Sequence, residues 1–358
     1  MINVTKTYLP DFDKYVATLK KAWDNAWITN NGPLVVELEH KLKEYLGVDN
    51  LLFCGNGTVV LQMAMKALDI TKEVITTPFS YVATTNTILW EGSKPVFVDI
   101  EKNSCCIDAN KIEAAITEDT QAIMATHVYG FPCNVEQIEK VAQKYNLKVI
   151  YDGAHAFGCN YKGKSVLAFG DVSTCSFHAT KVFHTVEGGC IIANDASVHE
   201  KLMLYRSFGH LGDDYYSIGI NGKNSEFHAA MGLCNLPEIS NIIQSRKNVF
   251  DYYNSRLNFS EIERPFCEVD FSYNYAYYPV VFKTEEALLK VRKSLLDNQI
   301  STRRYFYPSL NELPFLAEQA KCPVSESISR RVLSLPLYVD LPEAEVKRIA
   351  GIINAVVG

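Results

Sequence analysis

Residues 121–154 read "QAIMATHVYGFPCNVEQIEKVAQKYNLKVIYDGA", and their reading decides the fold. QAIMATHV (121–128) and KVIYDGA (148–154) are short, nearly continuous apolar runs, the pattern of strands buried on both faces. Between them NVEQIEKVAQKYNL (134–147) reads as a helix behind an asparagine start signal. Strand, helix and strand in that order form the unit from which parallel sheets are built.

The same alternation runs through the first two-thirds of the chain. VVELEHKLKEYLG (35–47) and VVLQMAMKALD (59–69) have helical apolar spacing, whereas EVITTP (73–78) and KPVFVDI (94–100) read as buried strands. These segments predict an α/β fold with a largely parallel sheet flanked by helices. From about Ser225 the pattern changes. Residues 225–257 read as a long helix interrupted near Pro237, followed by a strand in YAYYPVVF (275–282) and helices over 285–299 and 342–357. The expected organisation is a large domain, 1–235, and a smaller C-terminal α/β domain, 236–358.

Bulk properties narrow the function. The 358 residues suit two domains, and 47% hydrophobic with 21% charged residues is ordinary for a globular protein. A net charge of −6 argues against nucleic acid or an anionic membrane as partner. No apolar run approaches the ~20 residues that span a bilayer, and the N-terminal MINVTKTYLPDFDKY lacks a signal-peptide layout. The ten cysteines are scattered without a C-x-x-C, which suggests free thiols in a reducing cytoplasm and no metal site.

GCNYKGKS (158–165) matches the phosphate-binding formula G-x-x-x-x-G-K-[ST], but its setting fails. No strand ends directly at its first glycine and no helix pattern opens at its Lys-Ser, so a turn between strands fits better. GNGTVV (55–60) has weaker spelling and better context, since strand NLLFC precedes it and a helix follows. A helix N-terminus built from small residues binds one phosphate well, although a plain tight turn has the same composition.

Three further features converge with it. Asp152 closes an apolar strand, with His155 just beyond, and a carboxylate there needs a cation, strong donors or a turn to cap. TTPFSYVATTN (76–86) places Tyr81 and a cluster of hydroxyls after strand 73–77, either as an aromatic face at the strand tips or as the start of a core helix. STCSFHATKVFHTVEGG (173–189) sets Lys181 among small, aromatic and hydroxyl residues; such a lysine is either a rim residue or an amine whose pKa burial lowers. A phosphate-cradling turn, a stacking aromatic, a buried aspartate and a desolvated lysine together satisfy pyridoxal 5'-phosphate.

With ITTPFSYVATTNTILWEGSKPVFVDI, ATHVYGFPCNVEQI, VIYDGAHAFG, SFHATKVFHTVEGG, GINGKNSEFHAAMGL and LSLPLY in this order, the chain resembles the DegT-like nucleotide-sugar aminotransferases nearly end to end. The resemblance implies the pyridoxal-phosphate-dependent transferase fold of type I. It makes Lys181 the residue joined to the cofactor aldehyde and Asp152 the partner of the pyridine nitrogen. It puts His155 beside the ring hydroxyl, Tyr81 over the ring, and Gly57, Thr58 and Ser176 at the phosphate. Asn221 falls where the family reaches the cofactor phosphate of a neighbouring subunit, which implies a homodimer with shared active sites. Two departures stand out: Gly55-Asn56-Gly57 replaces the usual Ser-Gly pattern, and Lys223 stands where arginine is common.

The implied reaction carries an amino group from L-glutamate to a dTDP-linked keto-sugar. A histidine in SFHxxK followed by Glu-Gly-Gly resembles the 4-aminotransferases, so His178 and Glu187 favour dTDP-4-keto-6-deoxy-glucose and its 4-amino-4,6-dideoxy product. Arg303 and Arg304 are candidates for the nucleotide diphosphate. Three rival readings are a 3-aminotransferase acting on a dTDP-3-keto-6-deoxyhexose, a non-catalytic regulatory protein that binds the cofactor, and an NAD-dependent oxidoreductase resting on the GNG turn.

Overall fold

The computed structural model describes residues 1–317 and 320–358. Its central sheet contains β1 (Leu51–Cys54), β2 (Glu73–Thr76), β3 (Lys94–Phe97), β4 (Thr120–Thr126) and β5 (Lys148–Asp152). A small hairpin, β6 (Asn160–Tyr161) and β7 (Lys164–Ser165), intervenes before β8 (Val172–Ser176) and β9 (Gly189–Ala193) complete it. The strand order is β1-β9-β8-β5-β4-β2-β3. All neighbours pair in parallel except β9, which runs antiparallel to β1 and β8. This is the mostly parallel mixed sheet that the alternation predicts.

Residues 121–154 fold as read. β4 and β5 pair from Ala122↔Lys148 to Thr126↔Asp152, and the helix between them starts where Asn134 accepts a hydrogen bond from the Gln137 amide. Unbroken apolar strands serve both faces of the sheet because successive side chains alternate. Ile123, Val149 and Tyr151 pack with Val135, Ile138 and Val141 on one face. Met124 and Ile150 pack with Val60, Ala64 and Met65 on the other.

Around the sheet lie α1 (Phe12–Asp24), α2 (Pro33–Leu46), α3 (Gly57–Ala67), α4 (Ala83–Trp90), α5 (Ala109–Ile112), α6 (Val135–Tyr145), α7 (Ala196–Arg206) and α8 (Glu226–Asn235). An exposed hairpin, β10 (His210–Leu211) and β11 (Asp214–Tyr215), follows α7. The helix predicted over 225–257 is two helices, because a 3₁₀ turn, Leu236–Glu238, carries Pro237 between α8 and α9 (Ile239–Asn254).

A second sheet holds β12 (Ile262–Glu263), β14 (Tyr278–Phe282) and β15 (Val332–Leu335), while β13 (Phe271–Ser272) pairs with β6 instead. Packed against the second sheet are α9, α10 (Glu285–Asp297) and α12 (Glu343–Val357), with Phe250, Phe282, Leu295, Leu333 and Ile349 in a core of their own. The N-terminal strand-like segment joins this part, since Ile2 pairs with Ile300. α11 (Pro323–Arg331) starts where Asp99 accepts hydrogen bonds from the Val324 and Ser325 amides at 3.0 Å each. GCNYKGKS is the β6–β7 hairpin, and a short 3₁₀ turn, Val166–Ala168, follows it in place of a phosphate-binding helix. No helix among the described residues is long and apolar enough to cross a membrane.

One buried carboxyl group fastens α2 to α8. Glu226 is fully buried and accepts from the Leu34 amide at 2.7 Å and the Val35 amide at 3.1 Å. The side chain thereby satisfies two of the orphan donors at the α2 N-terminus and complements its dipole. Glu226→Ala is expected to lower unfolding stability by roughly 2–3 kcal/mol, with Glu226→Gln losing less. Denaturant titration of the three proteins checks this ordering.

Candidate active site

The carboxyl ends of β5 and β8 and the N-terminus of α3 surround a cavity of ≈ 320 Å³, the position where open α/β sheets place their ligands. Gly57, Thr58, Tyr81, Asp152, His155, Ser176, His178, Lys181, Glu187 and Arg303 all line it.

Asp152 is 5% exposed at the end of β5. Its Oδ1 accepts from the Ala154 amide at 3.0 Å and its Oδ2 from the Thr84 hydroxyl at 2.7 Å. Since Thr84 donates to the carboxylate, Ser80 donates to Thr84 at 2.9 Å, and Thr126 in turn donates to Ser80 at 3.2 Å. A directed row of hydroxyls thus ends on the carboxylate, supplying the donors that its burial demands. The hydroxyl cluster after strand 73–77 is legible in the sequence, but its destination is not.

Lys181 follows β8 and turns its amine into the cavity. Burial pushes its pKa down, yet the Tyr277 hydroxyl and the Asp152 carboxylate outweigh burial, so the net displacement is upward. This corrects the expectation of a lowered pKa: the sequence around Lys181 is apolar, but its neighbours in space are not. Its hydrogen-bond partner is the Tyr277 hydroxyl at 3.4 Å. His155 stacks on Phe306 at 5.4 Å between centroids and meets Tyr277 edge-on at 5.0 Å. Burial, reinforced by Lys181 and His127, holds the His155 imidazole well below its usual pKa and therefore neutral. Its Nδ1 is a buried atom with no hydrogen-bond partner among the described residues.

At the α3 N-terminus, Asn56 Oδ1 accepts from the Thr58 and Val59 amides at 3.0 and 2.9 Å. A Cβ at Gly57 would lie 2.9 Å from Ser176 Cβ, and one at Gly189 would lie 2.8 Å from the Asn56 backbone. Glycine at both positions lets the turn settle onto β8 and β9, closing a small cradle floored by Ser176. Of the Gly-Gly pair that ends STCSFHATKVFHTVEGG, Gly189 is explained by that close approach and Gly188 by the Thr185 hydroxyl, which would lie 2.1 Å from a Cβ there.

The remaining predicted residues divide. His178 Nε2 lies 3.6 Å from Glu187 Oε1 at the rim, and His178 Nδ1 lies 2.9 Å from the Thr180 hydroxyl. Arg303 reaches the cavity, whereas Arg304 does not. The backbone of Arg303 pairs with Ser334 in extended form, so adjacent side chains take opposite faces. Arg304 turns away to Glu285 at 2.7 Å and the Arg330 carbonyl at 2.9 Å, which corrects its candidacy for a nucleotide diphosphate. Asn221 is exposed, bridged to Ser207, and outside the cavity of its own chain. Lys223 lies over the Phe208 ring at 4.7 Å. His184 supports the loop from beneath: its Nε2 is 2.6 Å from the Tyr8 carbonyl, and its Nδ1 accepts from the Val186 amide at 3.2 Å. Tyr277, Tyr305, Phe306 and Thr84 were not singled out by sequence reasoning, and the first three come from segments distant in sequence.

This arrangement fits pyridoxal phosphate. The donor set holds an amine, a carboxylate and hydroxyls at a helix N-terminus, and Gly57, Ser176 and His155 line the same cavity.

Comparison with known proteins agrees. Residues 12–354 match the model of the DegT/DnrJ/EryC1/StrS aminotransferase family. A dTDP-4-amino-4,6-dideoxy-D-glucose transaminase of Shigella dysenteriae is 40% identical over 99% of both chains, and one of Escherichia coli is 40% identical over 98% of both. A crystal structure of DesI in the presence of its TDP-sugar product superposes with a TM-score of 0.92 at 30% identity, covering 98% of this chain and 91% of that one. The chain belongs to the DegT/DnrJ/EryC1/StrS aminotransferase family.

Proposed function

We propose that this aminotransferase binds pyridoxal phosphate and transfers the amino group of L-glutamate to C4 of dTDP-4-keto-6-deoxy-glucose, giving dTDP-4-amino-4,6-dideoxy-glucose. The observation that carries this reading is the meeting of Lys181, Asp152 and the α3 N-terminus in one cavity. The names of the relatives at 40% identity support the choice of sugar.

When bound, the cofactor supplies an aldehyde for amines and a ring that accepts electrons. Its phosphate would be held by the Thr58 and Ser176 hydroxyls and the Gly57 amide at the positive end of α3. Asp152, fixed by Thr84 and the Ala154 amide, would keep a proton on the ring nitrogen. Neutral His155 would contact the ring hydroxyl, and Tyr81, 55% exposed at the cavity wall, would stack on the ring. Lys181 Nζ would take the proton from the α-carbon of glutamate and pass it to the cofactor carbon within that half-reaction, and in the sugar half-reaction it would carry a proton the opposite way, onto C4 of the sugar.

His178 and Glu187 would meet the sugar, and Arg303 the diphosphate, from the rim. Asn221 would serve the cofactor phosphate of a second copy. Support for such a homodimer comes from Phe208, Leu211, Tyr215, Tyr216 and Ile218, exposed apolar residues just before it. The division into 1–235 and 236–358 belongs to the same proposal, supported by the turn at Pro237 and the separate second core. A cytoplasmic site of action is supported by ten cysteines that are all free thiols.

Lys181→Ala is expected to abolish the visible absorbance of the lysine-bound cofactor and to cut turnover by at least about 10⁴-fold. Absorbance spectra and single-turnover assays measure both, and a variant with wild-type turnover overturns the assignment. Incubation with glutamate and either 3-keto or 4-keto dTDP-6-deoxyhexose should give only the 4-amino product by NMR. Exclusive 3-amino product would move the reading to C3.

A further inference from the structure

Tyr277 is the side chain that meets the Lys181 amine, and it arrives from the other part of the molecule. It lies at the entry to β14, which belongs to the second sheet, while Lys181 follows β8 of the first. Among the described residues, the bond at 3.4 Å is the hydrogen bond made by both the amine and the phenol. That distance is long, yet within reach of a small adjustment of either side chain.

The backbone that delivers Tyr277 is held unusually firmly. Arg246 of α9 is buried with no carboxylate partner among the described residues, and its guanidinium serves the two peptide carbonyls just before Tyr277. Nε donates to the Tyr275 carbonyl at 2.9 Å and Nη2 to the Ala276 carbonyl at 2.7 Å. Asn274 Oδ1 accepts from the Ala276 amide at 3.0 Å, while its Nδ2 donates to the carbonyls of His155 and Phe157 at 2.8 and 2.9 Å. Asn274 therefore ties the Tyr277 segment to the segment bearing His155. The ring is also enclosed, with Tyr129 at 5.6 Å, His155 at 5.0 Å and Tyr305 at 5.6 Å between centroids. Four tyrosines stand within 273–278, but this backbone clamp selects the one at 277 for the cavity.

We propose that Tyr277 is a positioning residue for transamination, its phenol oxygen holding the free Lys181 amine in place between proton transfers. The proposal rests on the reading of Lys181 as the reacting amine. The phenol oxygen accepts from the protonated amine, and its O–H donates to the amine lone pair once the proton has left, so one contact serves both states. The other groups facing the amine are Asp152 on β5, Cys175 on β8, His155 after β5, and Tyr305. None of these forms a hydrogen bond to Nζ in the structure.

Tyr277→Phe tests this because it keeps the ring packing and removes only the oxygen. Two readouts are needed. The first is the pH dependence of Lys181 acetylation by acetic anhydride, followed by mass spectrometry on the protein as purified and after loading with pyridoxamine phosphate, which leaves the lysine free. Without the phenol, burial is less opposed, so the midpoint is expected to fall by about one pH unit. The second is steady-state kinetics with glutamate: kcat should fall roughly 10- to 100-fold while KM is unchanged. An unchanged labelling midpoint together with wild-type kcat overturns the proposal, because ring packing alone would then account for Tyr277. A shifted midpoint in a protein that transaminates no keto-sugar would leave the lysine–tyrosine pair standing and overturn the reading of function instead.

Discussion

A carboxylate buried at the end of a parallel strand is the constraint on which the site depends. Unpaired, Asp152 would cost several kcal/mol, and the fold meets that cost with donors from three elements. The Ala154 amide comes from the turn after β5, Thr84 from α4, and the hydroxyls behind Thr84 reach back to Thr126 at the end of β4. The strand order puts β4 and β8 on either side of β5, so Asp152 has Thr126 and Thr174 as its register partners. Satisfying one charge therefore fixes the relative positions of β4, β5 and α4. It also brings the carboxylate into the cavity that Lys181 enters from β8.

The sheet was legible because burial on both faces leaves a strong sequence signal. Runs such as AIMA and VIY admit polar residues only at their ends, and the site lies at the carboxyl ones. The α3 turn was legible through its glycines, and the Pro237 break through the loss of an amide. Other features had no local signature. Helix α1 leaves Phe12, Val16 and Trp23 exposed, so its apolar spacing does not report on this chain's core. Arg303 and Arg304 are equivalent in composition, and only the extended backbone opposite Ser334 sends one inward and the other to Glu285. The environment of Lys181 was misread for a related reason: its sequence neighbours are apolar, while the groups that set its protonation come from β5 and from the segment before β14.

The loop 177–189 shows how a fixed backbone can leave a side chain available for selectivity. The Phe177 amide donates to the Gly188 carbonyl and the Thr185 amide to the Phe177 carbonyl, both near 2.8–2.9 Å, so the loop closes on itself. The carbonyl of Glu187 accepts from the Thr185 hydroxyl at 2.8 Å and from Asn224 at 3.0 Å. His184, for which the sequence offered no role, anchors the same loop to Tyr8. At ~1 kcal/mol for each such bond, swinging Glu187 out of position costs several bonds at once. Among the described residues, its side chain makes one ionic contact, at 3.6 Å with His178, and stays at the rim. Under the proposed function, a substrate hydroxyl entering there would meet an acceptor whose backbone is held by these bonds, so discrimination between sugar carbons would follow from position and not from an adaptable fit.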